Sequence, residues 1–350
     1  MRSLYWLALF ACSTLSALAQ TNASVPAPAK SQEEIWALIQ QGYQRNDYRA
    51  ISGPYHLVLS FETFDVNGQP TGEGTIERFS MTANHQKTIT HFRGNTMTEY
   101  VVAGRKSFTE EGNFDGNIML YHLGEFLFWP LSPAVPGTHR VYQYQARQLG
   151  TQAMDCESYQ FLGWYTYRSH DGRVIASKPP AEVECFSQET HDFILKQTEH
   201  LNGRYLNFAP FHETSIARMI SVTQGSVVRA RAHITMLEDA ALDDAALTPP
   251  ADASPVTPGS NWITETAEEE HPLQTGPLPE VDQKQLKKTT ENLEVMILVS
   301  RTGVVIDAEP MESPTPELMK DALEAARKWS YKPILREGRP VETIHVIHFQ

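Results

Sequence analysis

The sequence predicts a mainly β protein with an α+β appendage: a large, curved antiparallel β-domain behind one leading helix, a linker, and a small ββαβ unit. Three observations carry this. From Tyr55 to Leu237 the dominant apolar period is two, the period of strands with one buried face. From Glu238 to Glu291 the chain turns acidic and proline-containing. From Glu294 onward two extended runs, a helix with a clear start signal and a final alternating run follow in order.

Arg2, the apolar stretch Leu4 to Ala11, and Ala17-Leu18-Ala19 before Gln20 have the layout of a cleaved secretory signal, so residues 1–19 are expected to be removed on export to the periplasm. The apolar stretch is too short to span a bilayer, and no retained membrane span is expected. An alternative stays open: Leu9-Phe10-Ala11-Cys12 resembles a lipobox, which would leave the protein lipid-anchored at Cys12. Without the signal, Cys156 and Cys185 remain, and an even pair in an exported chain is most simply one disulfide.

The β-domain is expected over residues 31–237. Ser31 and Glu34 form an S-x-x-E capping box, and Ile35, Trp36, Ile39 and Tyr43 follow at helical spacing. Tyr55 to Phe64 alternates as a strand, and Asn67-Gly68 is a hairpin turn signal because both residues tolerate positive φ. Further strands are expected at 74–81, 87–92, 97–102, 141–147, 158–167, 181–186, 194–199, 204–210, 216–223 and 226–236. A curved sheet that does not close needs a filling for its concavity. The leading helix and the apolar stretch Ile118 to Leu131, interrupted by His122, Gly124, Glu125 and Pro130, are the candidates.

Residues 238–291 read as a linker. Positions 238–294 hold 3 basic and 13 acidic side chains, and so carry ten of the thirteen net negative charges of the chain. Like charges and prolines keep such a segment extended. No basic stripe exists anywhere, which excludes a nucleic-acid partner.

The C-terminal unit is expected over residues 292–350. Glu294 to Ser300 is a strand, Thr302-Gly303 turns the chain, and Val304 to Asp307 returns. Thr315 is an N-cap with Pro316 at the first helical position, and Leu318, Met319, Ala322, Leu323, Ala326 and Trp329 form the buried stripe. Trp329 is expected to wedge this helix onto the sheet. Glu342 to Phe349 alternates as a third strand.

The phrase Lys328-Trp329-Ser330-Tyr331-Lys332-Pro333, continuing through Gly338-Arg339-Pro340-Val341, is not something a generic ββαβ unit has reason to carry. With it, residues 290–350 resemble the C-terminal domain of TonB-family proteins of the bacterial cell envelope. The resemblance implies no enzyme but docking of an extended peptide, or of an envelope protein such as an outer-membrane receptor, at a sheet edge. The final strand is the natural edge. Trp329, Tyr331, Lys332, Pro333, Gly338, Val341, Ile344, Val346 and Phe349 are the partner-binding candidates it points to. The cleavable signal and the missing Pro-x-Tyr-Pro phrase before the first strand depart from that family's energy transducers.

A second resemblance rests on pattern alone. A leading helix, the strand Tyr55-x-Leu57-x-Leu59-x-Phe61, the Asn67-Gly68 turn and Gly72-x-Gly74 are similar to the opening of periplasmic lipoprotein-carrier half-barrels. That resemblance implies a lipid or other apolar ligand in the concavity. Both readings, partner binding and ligand carriage, stay open.

Catalytic chemistry finds no support. The 13 histidines include no H-E-x-x-H spacing. His345 and His348, three apart on a strand, face opposite sides. No phosphate loop, nucleophile elbow, cofactor motif or metal-ligand set is visible, so no catalytic residue, cofactor or metal is assigned.

Overall fold

The computed structural model describes residues 30–131, 140–161, 165–168, 174–177, 182–198, 200–255, 260–262, 273–274, 293–312, 315–336 and 338–349. The expected signal, Cys12 and the acidic run Glu268-Glu269-Glu270 lie outside them.

Helix α1 (Gln32–Asn46) begins as its capping box requires: Glu34 N–H donates to Ser31 Oγ at 3.2 Å, and Ser31 N–H donates to Glu34 Oε2 at 2.7 Å. Ile35, Leu38 and Ile39 are its buried face. Gly42 lets it settle on the sheet, since a Cβ there would stand 2.1 Å from the Phe186 ring.

A meander follows: β1 (Tyr55–Phe64), β2 (Pro70–Thr82), β3 (His85–Phe92), β4 (Asn95–Val102) and β5 (Arg105–Glu111). Its tight turns explain its register. Arg93-Gly94 and Ala103-Gly104 both have two consecutive residues at positive φ, the geometry that matches strand twist in two-residue hairpins. After α2 (Ile118–Phe128) come β6 (Arg140–Leu149), β7 (Gln152–Phe161), β8 (Tyr165–Arg168), β9 (Val174–Ser177), β10 (Glu182–Ser187), β11 (Phe193–Gln197), β12 (Asn202–Phe211), β13 (Thr214–Gln224) and β14 (Val227–Asp239). Twelve of these form one antiparallel sheet, in the order β5-β4-β3-β2-β1-β14-β13-β12-β11-β10-β7-β6, while β8 and β9 pair apart. Long-range closure of the order occurs where β1 meets β14.

The sheet curls around α2. Leu57, Leu59, Phe61, Ile76, Phe92, Ile220 and Ile234 of the concave face share one core with Leu123, Phe126 and Leu127. Tyr205 Oη donates to the Phe126 carbonyl at 2.8 Å, satisfying its buried hydroxyl. The filling expected from Ile118 to Leu131 is therefore present, as a helix. The expected strand 158–167 is two strands, β7 and β8, and β5 and β9 were not anticipated. The first of these carries only one large apolar residue, Phe108, and is a strand because the Ala103-Gly104 turn returns it onto β4.

Cys156 and Cys185 are directly opposite on β7 and β10, and they are bonded, with Cα atoms 4.0 Å apart. Both are fully buried beside Met154, Ile194 and Leu195.

Within the segment expected to be a linker lie the one-turn helix α3 (Asp244–Leu247), whose Leu247 is buried, and the short strands β15 (Ser260–Trp262) and β16 (Leu273–Gln274). The C-terminal unit contains β17 (Leu293–Val299), β18 (Val305–Glu312), α4 (Pro316–Ala326), β19 (Ser330–Tyr331), β20 (Ile334–Arg336) and β21 (Arg339–Phe349). Its sheet runs β15-β21-β17-β18, with β20 folded back on β21. Gly303, at φ +86°, makes the turn into β18; a Cβ there would meet the Tyr331 carbonyl oxygen.

Breaking the disulfide frees a loop with a sequence separation of 29, for which chain entropy assigns about 3–4 kcal/mol. The paired substitution Cys156→Ser/Cys185→Ser should lower the urea-unfolding free energy of the β-domain by about that amount. A loss below about 0.5 kcal/mol would show that the bridge does not hold the sheet.

Candidate functional site

The C-terminal sheet has two apolar faces. Strand β17 is buried at every position. Val295, Ile297 and Val299 point to α4, where they pack with Leu318, Ala322, Ala326 and Trp329. Met296 and Leu298 point the other way and pack, with Ile344, against Ile118 of α2. Tyr121, Met311 and Val346 complete this second cluster. The module is therefore seated on the helix that fills the β-domain.

Polar groups align the seat. Ile118 N–H, at the first turn of α2, donates to Asp307 Oδ2 at 3.0 Å, while Leu120 N–H is taken by the N-cap Asn117 at 2.7 Å. A carboxylate of the module thus satisfies an orphan donor of a β-domain helix, at its positive end. Tyr121 Oη donates to Glu342 Oε2 at 2.7 Å. Arg229 of β14, 1% exposed, reaches Glu309 Oε2 at 2.5 Å and also donates to the Phe64 carbonyl and to Gln224. Gln224 in turn donates to the Pro310 carbonyl at 2.9 Å. On the rim Arg301 grips Glu110 with two bonds of 2.7 Å.

Three carboxyls in this seat are held above their ordinary range. Burial, the largest cause, raises Glu309 to about 7, with Asp307 pushing the same way and Arg229 opposing. Burial likewise raises Glu342 to about 8, opposed by the Tyr121 hydroxyl and assisted by Asp115. Asp307 is raised by burial against the pull of the Ile118 and Ala308 amides.

The residues expected to bind a partner are distributed unevenly. Trp329 and Tyr331 are buried in the module core, and Val341 packs with Ile334. Ile344 is fully buried, and Val346 half-buried, against the α2 side. Lys332, Pro333 and Gly338 are exposed. Phe349 ends β21 opposite Leu293. His345 is buried, bonded to Thr343 Oγ1 at 2.8 Å and stacked on Tyr331, so its place is internal packing. Most of these side chains therefore build the module, and what β21 can offer a partner is chiefly backbone.

That backbone edge is partly taken. Glu342, Thr343 and Ile344 pair in parallel with Ser260, Asn261 and Trp262 of β15. From Val346 on, β17 is the strand neighbour of β21 among the described residues. The seat residues Arg229, Asp307, Glu309 and Glu342 were not anticipated. The available signal was the run Val295 to Val299, whose lack of alternation marks a strand covered on both faces.

A second feature is a cavity of about 550 Å³ between α2 and strands β2–β5. Met97, Phe108, Leu120 and Phe128 supply apolar wall, and Lys106 and Lys196 stand at its margin, facing Glu99 at 3.0 Å and Glu182 at 3.4 Å. Arg78 is buried in the wall, its guanidinium 3.4 Å over the Phe128 ring and its Nε donating to Thr88.

The raised carboxyls make seating pH-dependent. When Glu309 and Glu342 are seated they hold protons that they would release in water above pH 4.5, so seating is most favoured at or below that pH. It weakens as pH rises through about 7 and 8. Limited proteolysis between the two domains should accelerate from pH 5.5 to 8.5, and Glu309→Gln should flatten the profile. A rate independent of pH would contradict this.

Residues 285–350 match the family model described as Gram-negative bacterial TonB protein C-terminal. No curated protein matches the chain in sequence. Among solved structures, a LolA superfamily protein from Nitrosomonas europaea overlaps at TM-score 0.40 and 9% identity, covering 61% of this chain and 96% of that one. A putative outer membrane lipoprotein-sorting protein domain from Vibrio parahaemolyticus gives 0.38 and 10%, over 58% and 91%. A DUF1329 family protein from Desulfovibrio piger gives 0.42 and 7%, over 62% and 96%. At those scores the likenesses carry no functional assignment. Residues 285–350 are thus similar to the TonB C-terminal domain, and the described part of that unit is seated on an open antiparallel β-domain.

Proposed function

We propose that this is an exported cell-envelope protein whose C-terminal module binds an extended segment of a partner protein along the outer edge of β21. The observation that carries the reading is the edge itself: a strand with β17 on one side and a parallel strand accepted on the other. Such an edge offers amides and carbonyls in register, so main-chain bonds supply affinity and neighbouring side chains supply selectivity. Lys332, Pro333 and Gly338, exposed on either side of β20, which folds back on β21, are the side-chain and turn positions a partner can reach. An outer-membrane receptor with an extended plug segment is the partner class this chemistry fits. Among the described residues the edge offers main-chain donors and acceptors, so the reading is one of binding.

A second reading is favoured by the cavity under α2. Its mixed lining, an apolar wall with the paired charges Lys106–Glu99 and Lys196–Glu182 at the margin, suits an amphiphile with a polar head better than a plain hydrocarbon. The module would then be the address and the β-domain the carrier.

Isothermal titration of the full chain with a panel of receptor plug peptides should give micromolar binding to at least one. No heat from any of the panel at high micromolar concentration would remove the receptor reading. Native mass spectrometry of the chain purified from cells should retain lipid adducts if the second reading holds, and a bare mass would count against it.

A further inference from the structure

We propose that the chain parks its own docking edge: the linker strand β15 sits on β21 in cis and must leave before an extended partner can pair there. This deepens the partner-binding reading given above and rests on it for its biological meaning. Three observations converge on it.

First, β15 occupies the side of β21 that a partner strand would need. Ser260, Asn261 and Trp262 run parallel to Glu342, Thr343 and Ile344, on the side of β21 away from β17. Two strands cannot occupy that side over the same residues, so the contact excludes a partner there by construction.

Second, the linker is anchored just upstream. Ser254 exchanges both backbone bonds with Phe108 of β5, Phe108 N–H to Ser254 O at 2.7 Å and Ser254 N–H to Phe108 O at 2.8 Å. Six residue steps separate Ser254 from Ser260, a reach of about 20 Å even when fully extended.

Third, the module that carries β21 is held on the same β-domain by the α2 seat, through Asp307, Glu309 and Glu342. Both ends of the short tether are therefore fixed to one body. A strand so tethered competes at an effective concentration on the order of millimolar, well above a partner at micromolar levels. Three residues make a weak strand alone, and proximity compensates. Parking of this kind lowers affinity for a trans peptide without altering the edge.

The test uses the full chain. Successive strand amides point to opposite sides, so Ser260→Pro/Asn261→Pro removes at least one N–H turned toward β21. A second variant replaces residues 256–266 with glycine and serine, so that the result does not depend on proline. The probe is a fluorescent synthetic peptide of residues 256–266. Both variants should bind it at least about tenfold more tightly than the unaltered chain. The amides of Glu342–Ile344 that β17 does not hold should exchange faster in both. Unchanged exchange overturns the proposal, and so does equal peptide affinity in all three chains, absence of binding included. If the opened variants take the 256–266 peptide but no receptor plug peptide, the parking stands and the receptor reading fails.

Discussion

Helix α2 is buried over most of its circumference, with only a narrow strip of Tyr121, His122 and Glu125 reaching the surface. Ile118, Met119, Leu120, Leu123, Phe126, Leu127 and Phe128 are all buried, most of them against the concave sheet and Ile118 against the C-terminal module. A helix with so wide an apolar face cannot remain at a surface. The half-open sheet covers one side of it, and Met296, Leu298 and Ile344 cover the end the sheet leaves bare. At roughly 1.5–3 kcal/mol for each large apolar side chain buried, this contact outweighs the rim pair Arg301–Glu110, whose class contributes about 0–1 kcal/mol. The two domains are joined because their uncovered apolar surfaces match.

The charges at the seat act differently. Above about pH 7, where Glu309 is ionised, moving it and Arg229 out of water costs several kcal/mol, and their attraction roughly offsets that cost. Their value is in registry: a misplaced module would leave the buried Arg229 with the Phe64 carbonyl and Gln224 but without a carboxylate to balance its charge. Asp307 adds direction, since only one placement sets a carboxylate against the first turn of α2. Apolar burial thus holds the module down, and the polar groups decide where.

Much of this was legible in the sequence where polarity alternates. Tyr55 to Phe64 reads as a strand because one face is wet, and Ser31 with Glu34 marks a helix start because orphan amides need partners. The Trp329–Pro333 phrase located the C-terminal module. What escaped were two stretches with no period, Ile118 to Phe128 and Val295 to Val299. Each was legible as buried, but periodicity cannot say what covers an element on both sides. They cover each other in part, and that contact depends on a long-range fold that no local pattern encodes. Strand β15 was equally invisible: Ser260-Asn261-Trp262 has no propensity to match, and proximity alone makes it a strand.

Within the C-terminal unit, β17 is covered on both faces by folding and seating, whereas β21 pairs with β17 on one side and with β15 over only three residues on the other. The cavity between α2 and strands β2–β5 shares that helix with the seat, so the two sites are mechanically adjacent through Leu120 and Tyr121.

The central claim is that the C-terminal module is seated on the β-domain through a specific buried contact. A double-mutant cycle on Arg229→Met and Glu309→Leu, measured by urea unfolding of the full chain, tests it most directly. Seating predicts a coupling of at least about 1 kcal/mol, with the double variant more stable than either single one. Additivity within about 0.3–0.5 kcal/mol would mean that the two residues do not meet, and would contradict the account.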